Sequence, residues 1–332
     1  MTVDNLTSKN SQLKPTFRET SKPTAILAVA GFSRSVGNLA ASPPLLDFSN
    51  KVIDLESSFA EVFQNKVRRA SQFVKFSNLA AAQCAQFVDP GFLKSSRVGF
   101  FLGTGIGNTS DIVAFTAEIL ANYTKSISPT CFVNTVSNAG LFYAARLLQI
   151  ECSTVVVSQE SISFEAALLT AKYTLQRGDI DLAFVGGVDV LHPPNETACA
   201  RLGSAGADID NLGEGSAFVA LANVPPPGAQ VLGYLNSVNI ERAPPAAILA
   251  NSGHTTDLLS YGIDHQVSSL ESAARELNLQ PYPYRQWSGD YSTGAAIGLG
   301  RFISDPDMTQ RNLWHVNCHH HGFIGYFCVS KS

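Results

Sequence analysis

Ser137 lies in the stretch Val133-Asn134-Thr135-Val136-Ser137-Asn138-Ala139-Gly140-Leu141, which reads as an apolar strand passing into a helix. A nucleophile at such a turn would gain from the positive end of the helix and from nearby backbone N–H donors. One reading of Ser137 is therefore an acyl-accepting hydroxyl. The other is a helix N-cap, where Ser and Asn satisfy exposed N–H groups, and the stretch taken alone favours the cap. The tail Cys318-His319-His320-His321 carries metal-ligating residue types at an unsuitable spacing. Consecutive side chains of an extended segment point to opposite faces, so these histidines would not share one ion, and a structural or channel-lining role is expected. Gly103-Thr104-Gly105-Ile106-Gly107 follows an apolar run, but Asn108 breaks the G-x-G-x-x-G pattern and no acidic residue ends a nearby second strand. A tight turn with close backbone packing is the expectation, not a nucleotide site. The six cysteines, Cys84, Cys131, Cys152, Cys199, Cys318 and Cys328, are scattered without a CxxC pair. They read as reduced core residues, with no metal and no cofactor implied.

The elements that must position these residues alternate in type. Short apolar runs predict strands at 25–30 (closed by Gly31), 97–102, 153–158, 182–190 and 323–330. Helical patterns predict helices over 68–87, 110–123, 141–148, 164–176, 266–277 and 293–303. Residues 215–223 and 230–240 flank Pro225-Pro226-Pro227-Gly228 and read as an antiparallel pair. Near-continuous apolar strands separated by helices imply an α/β fold with a largely parallel sheet covered on both faces. The order of elements is similar in the two halves, which suggests a duplicated unit: a polar start over 1–23, then halves at 24–190 and 191–332.

Composition sets the limits. Of 332 residues, 45% are hydrophobic and only 15% are charged, against about 25% charged in an average domain. Such a chain hides much of its surface in its core or against a partner. The net charge of −4 offers no basic field for nucleic acid or anionic membrane. No apolar run approaches the roughly 18 residues of a membrane span, and residues 1–23 lack the apolar stretch of a signal peptide. A cytoplasmic protein is expected.

The motifs, taken in order, resemble the β-ketoacyl synthases of the thiolase superfamily. Val133–Leu141 is similar to the family's nucleophile motif V-D-T-A-C-S-S-S-L. Gly213-Glu214-Gly215 with Ser216–Leu221 is similar to G-E-G-A-x-x-x-V-L, and Gly186-Gly187-Val188-Asp189 to the G-G-x-(D/E) strand end. Arg68-Arg69-Ala70-Ser71-Gln72-Phe73 resembles R-R-M-S-R-F, and Asn317–Gly325 the N-S-F-G-F-G-G-T-N loop. The resemblance implies a thiolase-like fold, with two similar βαβαβαββ halves in a five-layered αβαβα arrangement. It also places Ser137 where the family has its Cys nucleophile. The H-G-T-G-T histidine falls at Ser252 (in Ser252-Gly253-His254-Thr255-Thr256), the G-H-x-x-G-A-A histidine at Tyr291, and the preceding lysine at Gln286. The gate phenylalanine falls near His319 or His321. A serine needs an adjacent base to act as a nucleophile, and oxyanion and acid–base groups each contribute roughly 10²–10⁴ in rate. The resemblance with these losses implies a catalytically silent, chain-length-factor-like subunit. Its partner would be an active ketosynthase of a type II polyketide system, of aryl polyene type, meeting acyl carrier protein through the complex. The strand at 153–158 would join the interface. An acyltransferase using Ser137 with His254 as base, or a free-standing acyl-binding module, are the alternatives.

Overall fold

Strand β1 (Thr24–Ser35) is buried along its first ten residues, as expected for an apolar run that lies inside a sheet. The computed structural model describes residues 22–36, 43–64, 67, 70–122, 129–193, 209–250, 257–262, 267–319 and 321–332. Gly31 does not close β1. A Cβ there would lie 2.6 Å from the Cβ of Ala217, so the glycine lets β1 approach its neighbour β7 (Gly213–Ala222). Short strands β2 (Leu45–Asp47) and β3 (Val52–Ile53) extend from the far end of β1.

The first half adds β4 (Val98–Gly103), β5 (Cys152–Val157) and β6 (Leu182–Asp189). The second half contains β8 (Gly233–Glu241), β9 (Leu258–Tyr261), β10 (Gln280–Pro281), β11 (Asn312–Cys318) and β12 (Ile324–Lys331). Their path, β10-β9-β11-β12-β8-β1-β7-β6-β4-β5, contains one pattern twice. In each set three strands run parallel (β5, β4, β6 and β10, β9, β11), and an antiparallel strand (β7 or β12) separates them from β1 or β8. Among the described residues the strands of the two sets pair where Thr24, Ala25 and Ile26 face Leu235, Tyr234 and Gly233. β7, expected in the second half, belongs to the first set. It is also not the hairpin partner of β8, because β1 lies between the two.

Helices α1 (Leu55–Val62), α2 (Gln72–Gln86) and α6 (Ala139–Leu148) cover the outer face of the first set. Ser71 caps α2 by accepting from the Val74 N–H, and α3 (Pro90–Ser95) starts with Asp89 as cap and Pro90 at its first position. Helix α7 (Ser163–Gln176) and the helix Ala295–Ser304 pack against strands of both sets, forming the central layer. Helices Pro245–Ala250 and Val267–Glu276 cover β9 on the far side. The result is the five-layered α/β arrangement expected. Helices α4 (Thr109–Ala121) and α5 (Pro129–Asn134) complete the first half. The stretch expected as a strand before Ser137 is the end of α5 and the turn that follows it.

Candidate functional site

The carboxyl ends of β4, β5 and β6 open on one edge of the first set, the edge where open α/β sheets hold their ligands. Asp189, at the end of β6, is fully buried and organises it. One oxygen accepts from Thr104 Oγ1 (3.0 Å), Gly105 N (2.9 Å) and Ile106 N (2.8 Å). The other accepts from Thr293 N (3.0 Å) and Thr293 Oγ1 (2.8 Å). Burial pushes this carboxyl above the usual range, and the hydrogen bonds oppose that shift. The glycine turn after β4 is thus closed on itself, with the Gly107 N–H given to Thr104 Oγ1 at 2.8 Å. The N–H groups of residues 105–107 are spent, which is why the run resembles a phosphate loop without offering one.

The Gly213-Glu214-Gly215 motif is a clamp. Glu214 accepts from Arg34, from Gln72 Nε2 (3.2 Å) and from Leu191 N (2.9 Å), tying β1, α2 and the loop after β6 together. A Cβ at 213 would collide with Ser288 O, and one at 215 with the Tyr291 hydroxyl.

Ser137 does not stand at an elbow. It lies in the turn between α5 and α6, and Asn138, the capping position, makes no side-chain cap bond. The Ser137 hydroxyl donates to Asn108 Oδ1 at 3.4 Å, and an amide oxygen is no base. The β-branched residues before it form no strand: Val133 is in α5, Thr135 and Val136 are in the turn after it, and both valines are exposed. The strand-to-helix elbow is formed instead by β5 and α7, through Val157-Ser158-Gln159-Glu160-Ser161-Ile162-Ser163. Glu160 adopts a left-handed φ of 48°, which turns the chain sharply and buries Ser161. Set against V-D-T-A-C-S-S-S-L, Val157 matches the first position, Ser161 the cysteine and Ser163 a following serine. The sequence signal was the apolar 153–158 run ending in polar residues before a helix.

The Ser161 hydroxyl donates to Cys318 O (3.0 Å), and Asn317 Nδ2 donates to Ser161 O. The nearby His319 is engaged elsewhere: its Nε2 faces Glu160 Oε2 at 3.3 Å, and its Nδ1 accepts from His321 N at 3.2 Å. Tyr291 is buried, and its hydroxyl has no hydrogen-bond partner among the described residues. Burial and the neighbouring Asp189 raise its pKa well above the usual phenol, so it keeps its proton. Gln286 is exposed, beside Arg285, which pairs with buried Asp290 at 2.6 Å. Ser252 and His254 lie outside the described residues, as do Arg68, Arg69, Cys199 and His320. Tyr291 therefore meets the Asp189 clasp, whereas Ser137 and Gln286 stand apart from it.

Sequence reasoning missed a polar set in the core behind Ser161. Ser260 Oγ lies 2.9 Å from His315 Nδ1, and His315 Nε2 lies 3.2 Å from Glu165 Oε1. Asn317 Nδ2 reaches the same Glu165 oxygen at 3.3 Å, and Phe327 stacks on His315 with ring centres 4.9 Å apart. Each of Ser260, His315, Glu165 and Asn317 is at most 1% exposed.

Two features of the first half are exposed. β5 ends the sheet path and pairs only with β4 among the described residues. Helix α4 is apolar yet buries no residue. Ile112, Val113 and Leu120 of α4, Phe132 and Val133 of α5, Val136 of the turn that follows and Phe142 of α6 are exposed, Leu120 by 76%. Elsewhere, a cleft of about 460 Å³ lies between β1, residues 87–92 and residues 226–232. Among the described residues no three His, Cys, Asp or Glu side chains gather as a metal would require, and no helix is long and apolar enough to cross a membrane.

A family model described as "Beta-ketoacyl synthase, N-terminal domain" matches residues 43–222. No curated protein matches the sequence. The fold is similar to that of the AntDE:AntF complex, a type II PKS acyl-carrier protein with its ketosynthase bound to the hexaketide (TM-score 0.71, 13% identity, covering 93% of this chain and 99% of that one). It is also similar to the ishigamide ketosynthase/chain length factor (0.67, 12%, 92% and 99%) and to a β-ketoacyl synthase from Burkholderia phymatum STM815 (0.69, 13%, 93% and 99%).

Proposed function

The chain belongs to the β-ketoacyl synthase family, and on that premise we propose that it is a chain-length-factor-like subunit, silent at the family's catalytic position. It pairs with an active ketosynthase in the cytoplasm and shapes the pocket that receives a growing acyl chain in type II polyketide synthesis, of the aryl polyene class. Acyl carrier protein meets it through the complex.

The observations that carry this reading are the exposed apolar residues of α4, α5 and α6 and the edge of β5, which is unpaired among the described residues. An unpaired edge is a template for another strand, and large apolar residues exposed on successive helices of a chain with only 15% charged residues mark a partner site. Silence is supported by Ser161, whose hydroxyl donates to a backbone carbonyl and faces no base among the described residues, and by a tyrosine where the resemblance puts a histidine.

Substitution tests the silent half of the proposal. Incubation of the complex with acyl carrier protein thioesters should leave no acyl adduct on Ser137 or Ser161 by mass spectrometry. Ser137→Ala and Ser161→Ala should each keep the activity of the complex within about twofold. An adduct on either residue, or a loss of the order of 10²-fold, would establish a serine-dependent acyltransferase instead.

A further inference from the structure

Two described serines meet an imidazole. Ser260 meets His315 inside the core, where both are at most 1% exposed. The second pair is different. Ser110 Oγ lies 2.9 Å from His192 Nδ1, and both residues are half-buried and reach the surface.

Both members are held from behind. Ser110 sits in the first turn of α4, just after Thr109, whose hydroxyl donates to Ile106 O at 2.6 Å. That turn is itself fixed by the Asp189 clasp. His192 follows β6, where Asp189 anchors the strand end and Glu214 accepts the Leu191 N–H; Pro193 comes next and restricts the backbone. Asn108, the capping residue of α4, gives that helix no side-chain cap. Its amide nitrogen donates to Asn134 O at 2.6 Å and its oxygen accepts from Ser137. Asp111 and Ile112 give their N–H groups to Asn108 O at 3.0 and 3.1 Å, so the first-turn N–H groups outside the helix ladder beside Ser110 are those of Thr109 and Ser110.

We propose that Ser110 and His192 form a nucleophile–base pair that accepts an acyl group from an activated ester or thioester. With the ring proton on Nε2, Nδ1 takes the Ser110 proton as Oγ attacks the carbonyl carbon. The tetrahedral oxygen is met by the N–H groups of Thr109 and Ser110 at the start of α4. The bond from carbonyl carbon to the sulfur or oxygen of the leaving group then breaks. The proton on His192 passes to that leaving group, which departs as a free thiol or alcohol, and Ser110 keeps the acyl group as an ester. The pair differs from Ser137 and Ser161, whose hydroxyls meet an amide oxygen and a backbone carbonyl. It stands independently of the pairing proposed above.

Intact protein is treated with a fluorophosphonate probe, and separately with p-nitrophenyl acetate and with an acetyl N-acetylcysteamine thioester. Adducts are mapped by peptide mass spectrometry, with the melting temperature of each variant measured alongside. Ser110 should carry the adduct, Ser110→Ala should lose it, and His192→Gln should label about 10²-fold more slowly with an unchanged melting temperature. Ser161→Ala should label as the parent chain does. Acetylation by the thioester and not the aryl ester, or the reverse, identifies the acyl source and supports the pair. No adduct at Ser110, or unchanged labelling of Ser110 in His192→Gln, overturns the proposal. An adduct at Ser161 in place of Ser110 overturns both this proposal and the silent reading of the elbow.

Discussion

Asp189→Ala is expected to lower the stability of the fold by about 4 kcal/mol or more, because it leaves several buried donors without an acceptor at about 1–3 kcal/mol each. Five hydrogen bonds converge on this carboxylate, from Thr104, Gly105, Ile106 and Thr293. The Thr104 and Thr293 donors cannot turn to water, since Asp189 and Thr293 are fully buried and Thr104 nearly so, whereas Gly105 and Ile106 are half-buried. The loss falls where the β4 turn meets the segment leading into the central helix Ala295–Ser304, so it loosens the first set from the middle layer. Asp189→Asn keeps an oxygen for one group of donors and should recover about half of the loss. Urea unfolding of the three chains measures this. A loss below about 1 kcal/mol for Asp189→Ala would mean that the clasp is not made in the folded protein.

The second large effect concerns Glu165 and His315. Either one, left alone in a dry core, is a polar group without its main partner. Glu165→Leu or His315→Leu should each cost about 3–5 kcal/mol, whereas the double substitution should cost much less than their sum, since breaking a buried pair is worse than replacing it with apolar residues. The two groups are close, with Nε2 and Oε1 3.2 Å apart at sites of 1% and 0% side-chain exposure, in a contact that lacks hydrogen-bond geometry. Asn317 would then keep only its bond to the Ser161 carbonyl. Costs that simply add in the cycle would contradict the pairing.

The fold was legible wherever burial is written in consecutive residues. The apolar runs of β1, β4 and β6 and the helical patterns of α2 and α7 mark their positions because these elements face the core along most of their length, and the run of β5 stands out although none of its residues is fully buried. β11 was not legible, since Asn312-Leu313-Trp314-His315-Val316-Asn317 mixes polar letters into a buried strand. Those letters make sense only beside Glu165 and Ser161, about 150 positions away. The turn at Pro225–Gly228 suggests a hairpin, and nothing local reveals that β1 inserts between β7 and β8.

The site was legible in its residue types but not in its register. Gly186–Asp189 and Gly213–Gly215 stand out because glycine is required where a Cβ would collide with a neighbour. The elbow did not stand out. Ser158–Ser163 has no hydrophobic signature, and its identity comes from the left-handed Glu160 and from contacts to Asn317 and Cys318. Val133 and Val136 suggested a strand because they are apolar, yet they are apolar on a surface. A single chain cannot distinguish a residue buried in itself from one awaiting a partner.

The pairing itself is the central claim, and co-expression with an active β-ketoacyl synthase that retains its cysteine and two histidines tests it most directly. Size-exclusion chromatography with light scattering should give a 1:1 complex. Leu120→Asp with Phe142→Asp should weaken it by at least about 100-fold, roughly 3 kcal/mol. Both side chains are exposed, so the substituted chain should still fold. A chain that elutes as a stable monomer beside the ketosynthase would contradict the account.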